Sequence, residues 1–165
     1  MGASWRLSAI YGPPYYTAKR AFWNSLSSEA DCFPGAWLLL GDFNGICNKG
    51  DQSSNHSLDG GSRIMCEALD NLGMISIPSS GFLYTWSNRR CDRQRVNSHI
   101  DKGVANEYWW RLFPNAKLQL LPQTSSDHHP QVLSCFGQNV FAKRSFRFEA
   151  TWVEDRRSYW VVNHA

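Results

Sequence analysis

Apolar and polar positions along this chain fall into short blocks with two different periods. Residues 5–11 are strand-like, and Gly12-Pro13-Pro14 closes them, because two prolines cannot continue a ladder. Thr17 is placed to cap a helix over 18–30, in which Phe22, Trp23 and Leu26 form a buried stripe. Phe33-Pro34-Gly35 breaks into an apolar run over 36–40, which reads as a strand buried on both faces. A polar, glycine-containing loop over 44–61 follows. Ser62 is then placed to cap a second helix over 63–72, whose positions Ile64, Met65, Ala68, Leu69 and Leu72 keep helical spacing up to Gly73.

The blocks after Gly73 are shorter and strand-like, over 74–77, 83–86 and 99–105, with a charged hairpin-like connection over 88–95. Residues 108–112 read as a short helical turn. Strands over 117–121 and 131–136 enclose a polar loop over 122–130. Beyond Phe136 the pattern changes: 137–145 reads as a linker, and 146–162 is aromatic and charged without a clear partner.

Composition narrows the class. At 165 residues, 42% of them hydrophobic, one domain with a real core is the default. A net charge of +3 is compatible with a polyanionic partner without demanding one. The positive charge is spread over small groups such as Arg89-Arg90 and Lys143-Arg144. Five cysteines, an odd count with no CxxC spacing, indicate neither a disulfide framework nor a zinc site and point to a reducing intracellular compartment. No apolar stretch is long enough to span a membrane.

Candidate chemistry lies at strand ends. Gly41-Asp42-Phe43-Asn44 follows the buried run, and on an extended segment Asp42 and Asn44 share one side. An acid can hold or deprotonate a water, and an amide can bind a phosphate oxygen. Taken alone, the tetrapeptide also reads as a polar turn. Three more segments put polar groups in similar places: Tyr11-Gly12-Pro13, Ser98-His99-Ile100-Asp101-Lys102 and Ser126-Asp127-His128. Each has a plainer reading. Tyr11 can be a strand-end aromatic, Asp101 a strand acid paired with Lys102 or Arg95, and Asp127 with His128 a loop cap.

In this order the segments resemble the endonuclease/exonuclease/phosphatase superfamily, which includes the DNase I-like enzymes. The closer resemblance is to the endonuclease domain of plant non-LTR (LINE-type) retrotransposons. It is carried by Tyr11-Gly12-Pro13, Gly41-Asp42-Phe43-Asn44, Phe82-Leu83-Tyr84-Thr85-Trp86-Ser87-Asn88, Ile100-Asp101-Lys102-Gly103-Val104-Ala105-Asn106 and Ser125-Ser126-Asp127-His128. The resemblance implies an α/β fold, a two-sheet β-sandwich flanked by helices. It implies that Asp42 positions or deprotonates the attacking water, with Asn44 holding that water and a phosphate oxygen. Tyr11 would bind the scissile phosphate, His128 would stabilise phosphoryl charge, and Asp101 would orient His128. Asp127 would belong to a Mg²⁺ site, with Mn²⁺ as an alternative ion. The implied partner is DNA and the implied compartment is the nucleus, with no membrane, no disulfide-linked partner and a monomeric chain. Lys102 stands where these sequences usually carry Arg, which keeps the charge but loses the bidentate fork.

The family pattern also has an Asn-bearing strand end and a Glu metal ligand before the Tyr11 segment. Only ten residues precede Tyr11 here, and none is Asn, Asp or Glu. The expectation is therefore an N-terminally truncated domain: 1–137 as its C-terminal portion with the first strands missing, and 138–165 as a segment toward a reverse transcriptase. Such a domain would present an open sheet edge and exposed apolar surface. Its activity would be impaired by the missing Glu. Two other functions stay open at this point, a catalytically dead nucleic-acid-binding remnant and a phosphatase or deadenylase of the same superfamily.

Overall fold

The computed structural model describes residues 4–54, 58–91 and 94–137. The linker and aromatic tail expected over 138–165, and with them the domain boundary, lie outside the described residues. In chain order the elements are β1 (Trp5–Tyr11), α1 (Tyr16–Cys32), β2 (Ala36–Asp42), a 3-10 turn (Lys49–Asp51), α2 (Gly60–Asn71), β3 (Ile75–Ser76), β4 (Ser79–Ser80), β5 (Trp86–Ser87), β6 (Asn97–Ser98), β7 (Asp101–Ala105), α3 (Glu107–Leu112), β8 (Lys117–Leu120) and β9 (Gln131–Ser134).

β1 and β2 run parallel from Trp5↔Ala36 to Tyr11↔Asp42, joined by the α1 crossover that a parallel pair requires. β7 pairs antiparallel with the other side of β2, and β3 completes the sheet in the order β1-β2-β7-β3. A second sheet has the order β4-β8-β9, and β5 with β6 forms a separate hairpin. Alternation along β2 explains the layering. Trp37 and Leu39 join Ile10 and Val104 beneath Trp23 of α1 and Met65 and Leu69 of α2. Leu38 and Ala36 face the other way, packing with Ala105, Ile77, Trp109 and Leu118 of the second sheet's side. Burial of each such large side chain contributes about 1.5–3 kcal/mol. The result is helices over a sheet over a second sheet, sandwich-fashion and not closed. Among the described residues β1 forms an edge of its sheet, and Leu7 and Tyr11 on it are exposed.

Both helix starts differ from expectation. α1 begins at Tyr16, before Thr17, with Tyr15 as an N-cap that makes no side-chain bond. Pro13-Pro14 hold the entry extended, so the helix starts as soon as they end. α2 is capped by Asp59, whose Oδ1 accepts the Ser62 N–H at 2.6 Å. Burial pushes the Asp59 carboxyl up, but the bonds from Ser62 outweigh it and hold it below its ordinary value. The Ser62 hydroxyl instead accepts the Ile46 N–H at 3.3 Å.

The expected strand over 99–105 begins only at Asp101. Thr85 Oγ1 accepts the N–H groups of both Ile100 and Asp101 at 3.0 Å, and a side chain thereby takes the place of a ladder partner. The expected strand over 83–86 is instead the short Trp86–Ser87, and β4 had no sequence signal. The hairpin-like connection after Trp86 is a hairpin, with Trp86↔Ser98 and Ser87↔Asn97 in register. No helix among the described residues is long and apolar enough to cross a membrane.

Candidate active site

The site grows from the ends of two neighbouring strands. β2 ends at Asp42 and β7 starts at Asp101, and the antiparallel register sets the two directly opposite. Like charges in that position repel, so a third group is needed between or beside them. His128 supplies it from the loop before β9. One ligand-type atom each from Asp42, Asp101 and His128 lies within 4.8 Å of the other two.

His128 Nδ1 lies 2.9 Å from Asp101 Oδ2 and 3.1 Å from Oδ1. A carboxylate can only accept, so this pair assigns the proton to Nδ1 and leaves Nε2 as the working nitrogen. Asp101 is 8% exposed. Its N–H donates to Thr85 Oγ1, and its carbonyl accepts from Gln131 Nε2 at 3.0 Å. The His128 loop is tied down next to it, since the His129 N–H donates to the Thr85 carbonyl at 2.7 Å.

Asp42 is clamped by Asn44. The Asn44 N–H donates to Asp42 Oδ1 at 2.8 Å, and Asn44 Nδ2 donates to Asp42 Oδ2 at 3.2 Å and to the Gly12 carbonyl at 2.8 Å. Asn44 adopts a left-handed φ of 46°, which Asn tolerates better than most residues. Gly41, just before, has φ 144°, and a Cβ there would stand 2.2 Å from the Ile10 carbonyl, so this turn into the site requires glycine. Burial pushes the Asp42 carboxyl above its ordinary value; the Asn44 N–H opposes this, Asp101 adds to it, and His128 and Lys19 oppose it.

Tyr11 ends β1 in register with Asp42 and is 73% exposed, which leaves its ring open to solvent at the mouth of the site. Asp127 faces elsewhere. Its Oδ2 accepts the Trp86 indole N–H at 2.9 Å, and this bond is the main reason its carboxyl lies below the ordinary value. The three-group cluster therefore contains Asp42, Asp101 and His128, with Asn44 bonded to Asp42, Tyr11 at the rim and Asp127 tying the hairpin to the His128 loop.

Two supporting residues were not picked out from the sequence. Thr85, fully buried, wires β7 to both loops, and nothing but its place between Tyr84 and Trp86 marked it. Lys19 had a signal that was missed. With Phe22, Trp23 and Leu26 it follows the i, i+3, i+4, i+7 spacing of the buried stripe, so a charged residue occupies an apolar position.

No protein-family model matches the chain, and no curated protein sequence is similar to it. Solved structures do match. The endonuclease domain of TRAS1, a telomere-specific non-LTR retrotransposon, superimposes with a TM-score of 0.60 at 18% identity, over 77% of this chain and 55% of that one. A 3'-5' exonuclease (NExo) from Neisseria meningitidis gives 0.60 at 18% identity, over 78% and 60%. Beta toxin from Staphylococcus aureus gives 0.57 at 12% identity, over 79% and 52%. These likenesses show that the chain shares the mixed α/β fold of these structures. The chain spans between 52% and 60% of the length of the structures it matches.

Proposed function

We propose that this chain carries part of the active site of a metal-dependent phosphodiesterase that nicks DNA, of the retroelement endonuclease kind. The observation that supports it most is the convergence of Asp42, Asp101 and His128 within 4.8 Å at the strand ends of a fold shared with a retrotransposon endonuclease domain.

A phosphodiester repels a nucleophile and expels an alkoxide, so the site must place a water, move a proton and offset negative charge. Asp42, fixed by Asn44, orients the water. An ordinary aspartate is a weak base near pKa ~4. Burial lifts Asp42 toward the useful range. His128, its Nδ1 proton held by Asp101, presents Nε2 to the phosphoryl oxygens or the water, and Asp101 supports the imidazolium when it forms. Both Asn44 amide protons are engaged by Asp42 and Gly12, so its role centres on Asp42 and the water. Tyr11 offers its hydroxyl to the phosphate.

The donor set fits a hard divalent ion. The cluster brings together two carboxyl groups, Asp42 and Asp101, and Mg²⁺ characteristically binds through one or two carboxylates plus waters and phosphate oxygens. Asp127, expected from the sequence to hold the ion, is bonded to Trp86 outside that cluster, so Mg²⁺ or Mn²⁺ at the site would rest on the cluster carboxylates, where it would offset negative charge on the phosphate. The substrate on this reading is nuclear DNA.

Nicking of supercoiled plasmid by the purified chain with Mg²⁺, and its loss with chelator, tests the reading. Asp42→Ala and His128→Ala should each abolish nicking. Salt-sensitive DNA binding that survives Asp42→Ala with no cleavage by any form would replace it with a binding role. Activity on a small phosphate ester but not on DNA would replace it with a phosphatase.

A further inference from the structure

Lys19 is a buried cation near the carboxyls of Asp42 and Asp59, which both feel its charge, yet it is bonded to neither. It is 3% exposed. Its Nζ donates to the Asn44 carbonyl at 2.5 Å, and it forms no ion pair within 4.0 Å among the described residues. Removing an ammonium from water without a directly bonded carboxylate is costly, so packing alone gives no reason for a charge here. A methionine would fill the stripe as well and avoid that cost.

The path of the side chain is built for it. Gly61, in the first turn of α2, borders the lysine stem. A Cβ at Gly61 would stand 2.6 Å from Lys19 Cδ and 3.1 Å from Cε. The close approach of the lysine stem gives a reason for glycine at this point, where a larger residue would have to displace it. At the far end, the carbonyl that Lys19 holds belongs to the peptide following Asn44, whose left-handed backbone is the one that turns N–H and amide toward Asp42.

We propose that Lys19 is a positioning residue: its ammonium, steered past Gly61, fixes the Asn44 peptide and through it the two hydrogen bonds that orient Asp42. The role in turnover rests on the phosphodiesterase reading above; the role in fixing Asn44 does not.

Two variants and two readouts separate these. Lys19→Met should fold at least as stably as the parent chain in thermal unfolding. Exchange of the Asn44 N–H with solvent, followed by NMR, should speed up about tenfold while α1 amides keep their protection. In plasmid nicking, kcat should fall about 10- to 100-fold with KM nearly unchanged, the sign of misplacement and not of lost affinity. Gly61→Ala keeps the charge but displaces the stem, and should show a weaker form of both effects. Parental exchange at Asn44 and parental kcat in Lys19→Met would overturn the proposal. If Lys19→Met fails to fold, parental exchange and kcat in Gly61→Ala overturn it equally. If the parent chain does not nick DNA, the phosphodiesterase reading falls, and the exchange measurement still decides whether Lys19 holds Asn44.

Discussion

β7 carries two acid–base pairs on adjacent residues, and they are built in opposite ways. Asp101 pairs with His128, whose side chain is 31% exposed. Lys102 pairs with Asp51 at 2.9 Å, and the two side chains are 9% and 20% exposed. Alternation along the strand sends the two pairs to opposite faces. Lys102 also donates to the His99 carbonyl, and Asp51 accepts the N–H groups of Cys47 and Asn48. The Lys102 pair is thus enclosed in further hydrogen bonds, and these together with Lys102 hold the Asp51 carboxyl below its ordinary value. The Asp101 pair leaves one imidazole nitrogen uncommitted, with a second carboxylate beside it. One pair anchors a loop; the other is suited to moving a proton. Two single-point acceptors, Asp51 and the His99 carbonyl, suit an ammonium that has no fork to present.

The contrast breaks most sharply in activity. His128→Ala should reduce nicking by about 10²–10⁴-fold, the range of a lost acid–base group, with stability nearly unchanged. Asp101→Asn should lower it comparably by loosening the imidazole. A small effect of either on nicking that the parent chain performs would remove the distinction. Asp51→Ala should do the reverse. It strands the Lys102 ammonium and should cost about 3 kcal/mol in urea unfolding, while the nicking rate of the remaining folded protein stays close to the parent's. Thr85→Val probes the join between the pairs. Losing the hydroxyl leaves the Ile100 and Asp101 N–H groups without their acceptor, for a loss of about 1–3 kcal/mol.

That last residue shows where sequence reading stops. β1 was legible in full because Gly12-Pro13-Pro14 closes it, and the buried strand was legible because Trp37 to Leu40 can only belong between two layers. Asp42, Asn44, Asp101 and His128 were legible by their order along the chain. The break in the ladder at Thr85 was not, since it depends on a hydroxyl reaching a strand more than a dozen residues away. The Asp59 cap was hidden by Ser62, an equally good capping type three residues later, and only the chain path decides which side chain meets the orphan N–H. Lys19 is readable in principle, because the stripe pattern places a cation among the buried positions of α1.

The smallest expected effect separates Asp42, the carboxylate beside the Asp101 pair, from Asp51 by sign. Burial raises the Asp42 carboxyl above its unfolded value, so ionising it works against the native state. That penalty is complete above the folded pKa and vanishes below the unfolded one. Asp51 is the opposite case. Burial pushes it up, but Lys102 and the Cys47 N–H outweigh that and leave it depressed, so it stabilises above its unfolded pKa and loses that contribution as pH falls through the folded one. Asp42→Asn should therefore be more stable than the parent at neutral pH, by about 0.5 kcal/mol, because it also gives up the bond from Asn44 Nδ2. The advantage should shrink toward zero as pH drops below about 4. Asp51→Asn should show a deficit at neutral pH that shrinks over the acid range. Urea unfolding of the three proteins at both ends of that range measures the two signs directly. An Asp42→Asn variant less stable than the parent at neutral pH would mean that the Asn44 clamp makes Asp42 a structural anion like Asp51, and the distinction between the two faces of β7 would no longer extend to the carboxylate opposite Asp101.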